Sequence, residues 1–271
     1  MASSERAPHN RAGIRSIFEC VRWGWPWALG LLVVALPMAA HSRAEEPATT
    51  REANQVAGEF DADQSEVADL PPTEDLLRLD PEAPVWIDAK RKQVVMEGEV
   101  CLREGMLEMF ACPRRTKEHE SVLSVPVRPL TVHAGLLAVG ALPGNPARWN
   151  PKFEPARGAL IEVTIFWTDE EGNQQHARAQ EWIRQIKTGN AMDQSWVFGG
   201  SVVQGTYLAD FGEFICVSNF PSAMLDVPVE SSDKAGDLQF EAFTERIPPL
   251  GTKVLLVLTP RPNKVAKGKQ H

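Results

Sequence analysis

Lys92-Gln93-Val94-Val95-Met96-Glu97-Gly98-Glu99-Val100-Cys101-Leu102-Arg103 reads with a period of two. Val94, Met96, Gly98, Val100 and Leu102 alternate with Glu97, Glu99, Cys101 and Arg103. Successive side chains on a strand point to opposite faces, so this is a strand with one face in a core. Glu104-Gly105 supplies a turn, and 106–112 reads as the returning strand of a hairpin. Working outward, 84–88 reads as a strand before this unit and 119–125 as one after it. A helix fits 131–139, with Gly140 as its stop and Pro143 beyond. The run 158–169 (Leu160, Ile161, Val163, Ile165, Trp167) is a further strand, turned back at Glu171-Gly172-Asn173 into 175–186. Later strands are predicted at 196–199, 213–217, 238–243 and 253–259. The expected class is α+β: a β-rich single domain of antiparallel strands with one principal helix.

Charge divides the chain. Residues 45–82 carry 12 acidic and 2 basic residues, whereas 83–271 carry 22 and 21. The formal net charge of -8 therefore belongs to a linker at 45–82, where like charges repel and little apolar surface can be buried. Leu76, Leu77 and Leu79 are placed to form a short docking turn at its end. The globular domain is expected at 83–260, followed by a basic tail at 261–271. Its near-neutral balance lacks the positive field that phosphate backbones require, so no nucleic-acid partner is expected.

The N-terminus has the order of an export signal. Arg6, Arg11, Arg15 and Arg22 precede an apolar run from Trp23 to Ala40, and Ser42-Arg43-Ala44 offers small residues for cleavage. Residues 1–44 thus read as a secretory segment, and the chain as exported: periplasmic, envelope-associated or secreted. An uncleaved run at 23–40 would instead anchor the chain in a membrane; both readings put the domain on the same side.

Beyond the signal, which holds Cys20, three cysteines remain: Cys101, Cys112 and Cys216. On a hairpin turning at Glu104-Gly105, Cys101 and Cys112 share a face but lie about four residues, roughly 13 Å, apart along the ladder. A disulfide cannot span that. A looser turn at Met106-Leu107, or a bridge from Cys216 to either, leaves a disulfide open; three buried free thiols is the alternative. The spacing fits no familiar zinc or iron–sulfur pattern.

Two histidines flank the predicted helix. His119-Glu120-Ser121 leads into a strand, and His133 lies in the first turns of the helix. Imidazole and carboxylate together can hold a divalent metal or move protons, and Ser121 could act as a nucleophile beside a base. The alternative is that both imidazoles bond to main chain. No nucleophile elbow, H-E-x-x-H pair or phosphate-binding loop is present. Asn219 and Asp226 lie just past a strand end, where loop residues often line a site. Gly199-Gly200-Ser201 could admit a ligand close to the backbone or form a bulge.

Several of these stretches carry a resemblance. His119-Glu120-Ser121, then Pro129-x-x-Val132-His133-Ala134-x-Leu136-Leu137-Ala138-x-Gly140-Ala141-x-Pro143-Gly144, is similar to the YdjY-like domain family of bacteria. So are Cys101-Leu102-Arg103-Glu104-Gly105, Phe110-Ala111-Cys112-Pro113, Trp196-Val197-Phe198-x-Gly200-Ser201, the run from Phe214 to Asp226 and Arg246-Ile247-Pro248-Pro249-Leu250-Gly251-Thr252. The string from Cys101 to Val122 resembles the planctomycete branch of that family. The resemblance implies a shared site among His119, Glu120, Ser121, His133, Ser201, Asn219 and Asp226, with no catalytic role attached to any of them. A ferredoxin-like label on some members implies an iron–sulfur cluster, but three cysteines cannot supply four thiolates.

The resulting expectation is an exported module that binds a ligand or a divalent metal around His119, Glu120, His133 and Asp226, with His119 and His133 as the metal ligands. A hydrolase-type or thiol-redox enzyme and a structural or adaptor domain of the envelope are the alternatives. No reaction is identified.

Overall fold

The structure, a computed structural model, describes residues 76–232 and 238–261. The export segment with Cys20 and the 23–40 run, the linker up to residue 75, and the tail from 262 lie outside the described residues.

In chain order the strands are β1 (Leu77–Arg78), β2 (Val85–Asp88), β3 (Gln93–Val100), β4 (Met109–Pro113) and β5 (Ser121–Val125). The helix α1 (Pro129–Ala138) follows, then β6 (Pro143–Asn145), β7 (Arg157–Gly158), β8 (Leu160–Thr168), β9 (Gln174–Arg178), β10 (Ile183–Gln185) and β11 (Trp196–Phe198). The last are β12 (Val203–Gln204), β13 (Thr206–Tyr207), β14 (Ile215–Cys216), β15 (Leu225–Asp226), β16 (Phe240–Ala242) and β17 (Lys253–Arg261).

Eight of these strands close a barrel, in the order β3-β17-β8-β11-β15-β14-β4-β5 and back to β3. Closure removes the open edge from the ring strands, which is how a β-rich chain avoids edge-to-edge association. The expectation of purely antiparallel strands is corrected: β4–β5 and β14–β15 are parallel, and the other ring pairs are antiparallel. The long central pairs are those the alternating pattern predicts, with Val94, Met96 and Gly98 opposite Leu258, Leu256 and Val254.

The hairpin expected at Glu104-Gly105 does not form. β3 pairs with β5 through Val100 and Leu123, and β5 also pairs with β4, so β5 lies between the two expected partners. The cause is that the turn segment bonds elsewhere. Gly105 O accepts from Ala242 N, and Leu107 N donates to Phe240 O, so residues 105–107 are drawn to β16.

Residues 76–82, counted with the acidic stretch by composition, are folded. β1 pairs with β2, Leu76 packs beside Trp86 and Phe166, and Leu79 packs against α1. The barrel interior is filled by residues such as Trp196, Phe110, Leu256 and Ile165. Trp196 is fully buried and its indole N–H donates to Cys216 O at 2.7 Å. Without that acceptor the buried N–H would cost about 1–3 kcal/mol.

α1 begins two residues earlier than the pattern predicts, because Pro129 is tolerated at the first helical position, where no N–H is needed. Its N-terminus has no cap of its own. Asp210, from the 3-10 turn Leu208–Phe211, accepts from Leu130 N at 3.0 Å and is held by Arg128 at 2.6 Å. The helix ends as predicted at Gly140, whose φ of 92° suits glycine, and Ala141 N reaches back to Leu136 O. Val132, Gly135 and Leu136 face the core, with Gly135 so close to Leu79 and Val94 that a β-carbon there would meet Leu79 at 2.7 Å.

Candidate functional site

The predicted site residues fall into two groups. The first is built around His133. Its Nδ1 is 2.8 Å from the Tyr207 hydroxyl, and that hydroxyl donates to Gly200 O at 3.1 Å. A phenol has one proton, so with it given to Gly200 the hydroxyl accepts from His133 Nδ1–H. This sets the tautomer: Nδ1 carries the proton, and Nε2 is left with a bare lone pair. Nε2 has no hydrogen-bond partner among the described residues. The ring is half-buried, edge-on to Phe198 at 4.7 Å and to Tyr207 at 5.5 Å. Burial pushes the His133 pKa below the ordinary imidazole value, so the ring is neutral at pH 7. Burial also pushes the Tyr207 phenol up, keeping it a hydrogen-bond donor.

Ser201 belongs to the same group one step back. Gly200 (φ 91°) and Ser201 (φ 57°) both lie in the left-handed region. Their amides donate to Met224 O and Ala223 O, each at 3.0 Å. Ser201 Oγ donates to Ser222 O at 2.5 Å and accepts from Ala209 N at 3.1 Å. The Gly199-Gly200-Ser201 turn is thereby fastened to residues 222–224 and presents Gly200 O to Tyr207.

Asn219 and Asp226 hold that anchoring segment. Asp226 Oδ1 accepts from Asn219 Nδ2 at 3.0 Å and from Val227 N at 2.7 Å. Asn219 also bonds both ways with Ser231: its side-chain oxygen accepts from Ser231 N, and its N–H donates to Ser231 O. Asp226 lies on β15 opposite Val197, next to Phe198 on β11. It is fully buried, its Oδ2 has no partner, and burial pushes its pKa up to about 8. The Oγ atoms of Ser218 and Ser231 are also buried without a partner.

The second group surrounds Lys117. Its ammonium meets Glu108 and Glu120 at 3.3 Å and Glu213 at 3.5 Å, and stands 4.6 Å over the Phe220 ring. Gly212 makes room for the lysine stem, since a β-carbon there would come within 2.7 Å of Lys117 Cδ. Burial and the Glu120 charge raise the pKa of Glu108, while the carboxylates raise that of Lys117 against its own burial. Ser121 Oγ donates to Lys117 O at 2.8 Å, so its proton goes to a carbonyl and not to a base. The His119 side chain is 76% exposed and its Nε2 lies 3.7 Å from Glu120.

The two imidazoles are not brought together. His119 precedes β5 and borders Glu120; His133 follows β5 and borders Phe198 and Tyr207. Among the described residues no three His, Cys, Asp or Glu side chains are grouped to hold a metal ion. Cys101, Cys112 and Cys216 are all free thiols. Burial pushes Cys101 up to about 12 and raises Cys112 and Cys216 as well, so none is a ready thiolate.

Tyr207, Lys117, Glu108, Glu213 and Asp210 were not singled out in the sequence. Tyr207 carried one signal, being the only tyrosine of the chain. The others are ordinary charged residues whose convergence is set by packing alone.

Fold and site define a closed mixed β-barrel with one short apolar helix packed on it, presenting a neutral, oriented histidine. The model of the YdjY domain matches residues 85–259, and the chain belongs to the YdjY domain family. No curated protein and no solved structure matches it.

Proposed function

We propose that this YdjY domain is an exported binding module whose recognition surface is the outward face of α1, with His133 Nε2 as its polar anchor. The observation that carries the reading is the bare Nε2 lone pair. It is held by a relay of Tyr207, Gly200, Ser201 and residues 222–224, and most of the family-like residues serve that relay. A buried acid with an unpartnered oxygen at the root of the relay points the same way, since burying it costs stability that a purely structural strand would not need to give up. The ligand that fits is apolar, with one N–H or O–H donor for the imidazole. Export rests on the order basic, apolar, small residues at 1–44. Cell fractionation with N-terminal sequencing tests it, and recovery of the chain in the cytoplasm would refute it.

The binding reading is tested with N-phenyl-1-naphthylamine, an apolar fluorophore with a single N–H donor, added to the chain lacking residues 1–44. Saturable fluorescence gain is expected, weakened about tenfold by His133→Ala, the value of one hydrogen bond of about 1.4 kcal/mol. Binding that does not saturate, or is indifferent to both His133→Ala and Leu137→Glu, overturns the reading.

A further inference from the structure

β8 and β17 run side by side with Trp167 opposite Val254, so the turn after β8 and the segment leading into β17 meet at one end of the barrel. Between them lies a cleft of about 240 Å³, bordered by Trp167, Glu170, Glu171, Pro248, Pro249 and Thr252. The mouth of a β-barrel is a common place for a ligand, because loops surround a concave end there. α1 sits towards the other end. Its Gly135 lies against Val94, which pairs with Leu258, four residues or about 13 Å along β17 from Val254. None of the residues bordering the cleft belongs to the His133 relay, and the cleft is there whether or not α1 binds a ligand.

Both walls are fixed from within the chain. Thr252 N and Oγ1 donate to Pro249 O at 3.1 and 2.7 Å, Gly251 N donates to Val100 O at 2.9 Å, and Arg103 Nε donates to Ile247 O at 3.0 Å. This wall is the Arg246–Thr252 stretch, similar to the YdjY-like family and unused by His133. Across from it, Asp169 turns its carboxylate to its own loop, accepting from Asn173 N at 2.7 Å and Gln175 Nε2 at 2.8 Å. Glu170 and Glu171 are exposed, and their carboxylates have no partner among the described residues. No Lys, Arg or His borders the cleft. Trp167 is half-buried, its ring held against the buried Trp182 at 5.1 Å, edge to face. Walls held in this way lose little freedom when a ligand enters.

An indole ring, two proline rings and two unpaired carboxylates in one place attract a cation that also carries apolar surface. A bare metal ion does not fit, because among the described residues no three His, Cys, Asp or Glu side chains are grouped to hold one. The volume is below the roughly 300–1,000 Å³ of sites for drug-sized ligands, so the cleft suits a head group. We propose that it binds a small free organic cation by an alkylated ammonium group, with the alkyl groups on Trp167, Pro248 and Pro249 and the charge towards Glu170 and Glu171. A ligand with a carboxylate next to its ammonium is repelled by the same two side chains.

The test is fluorine NMR of the full chain carrying 5-fluorotryptophan, titrated with choline chloride. The Trp167 resonance is the one lost in Trp167→Phe; should that variant fail to fold, it is the one moved by Glu170→Gln combined with Glu171→Gln before any choline is added. Choline is expected to shift the Trp167 resonance saturably and to leave that of the buried Trp196 in place. Glu170→Gln with Glu171→Gln, both at exposed positions, should weaken the response at least about threefold. Two relatives of choline serve as controls at equal ionic strength: 3,3-dimethyl-1-butanol, its neutral isostere, and glycine betaine, which adds a carboxylate. Both should bind at least about threefold more weakly than choline. No saturable shift at Trp167 overturns the proposal. So does an equal response to the neutral isostere, which would leave an apolar crevice, or an affinity for choline unchanged by the paired glutamine variant.

Discussion

His133 Nδ1 lies 2.8 Å from the hydroxyl of Tyr207, a residue 74 positions further along the chain. This bond decides which imidazole nitrogen is left bare, so the chemistry of α1 depends on a hairpin remote from it in sequence.

Tyr207→Phe keeps the ring against His133 and removes the acceptor. The half-buried Nδ1–H then loses its partner, and stability should fall by about 1 kcal/mol. Nitrogen-15 NMR of the imidazole should show the Nδ1–H tautomer in the native chain and a mixture in the variant. A native ring protonated at Nε2 would contradict the relay.

His133 also makes a pH prediction. Its folded pKa is lowered by burial, so the unfolded chain takes up the proton first on acidification. The stability linked to it is fully present above the ordinary imidazole value of about 6.5 and declines as pH falls below it. His133→Gln should flatten that part of the curve in denaturant titrations.

Asp226 acts with the opposite sense. Its pKa is raised to about 8 by burial, so the native state keeps the proton while the unfolded chain releases it near the usual 3.8. Stability is therefore greatest below that lower value and falls as pH rises toward 8, by up to about 1.4 kcal/mol per pH unit. Asp226→Asn retains an acceptor for Asn219 and Val227. It should match the wild type in acid and exceed it in stability near neutral pH; a variant less stable at both would show that the carboxyl is not held protonated.

Lys117→Met leaves Glu108, Glu120 and Glu213 facing one another with no ammonium between them. Each of the three is about one-fifth exposed or less, so the loss should be about 2–3 kcal/mol, below that of a fully buried pair. The loss should shrink in acid as the carboxylates take up protons. A pH-independent effect would point to packing of the lysine stem against Phe220.

The thiols supply a last check. Iodoacetamide should alkylate Cys101, Cys112 and Cys216 slowly in the native chain, because burial keeps them protonated. All three should react after unfolding without a reductant. A mass two hydrogens short, with two cysteines blocked, would establish a bridge.

What the sequence alone determined is local. Alternation from Val94 to Val100 specified which side chains enter the core, Gly140 the end of α1, and Glu171-Gly172-Asn173 the return after β8, because each depends only on backbone geometry and burial of near neighbours. His133, Ser201, Asn219 and Asp226 could be marked as candidates, but not as one relay. Tertiary structure decided partners. A period of two says which face of β3 is buried and nothing about which strand lies beside it. The choice of β5 over β4 follows from residues 105–107 bonding to β16, more than 130 positions away. In the same way Tyr207, Asp210 and Lys117 acquire their roles only when barrel closure brings distant segments within hydrogen-bond reach, an event set by the packing of the whole ring and by no local pattern.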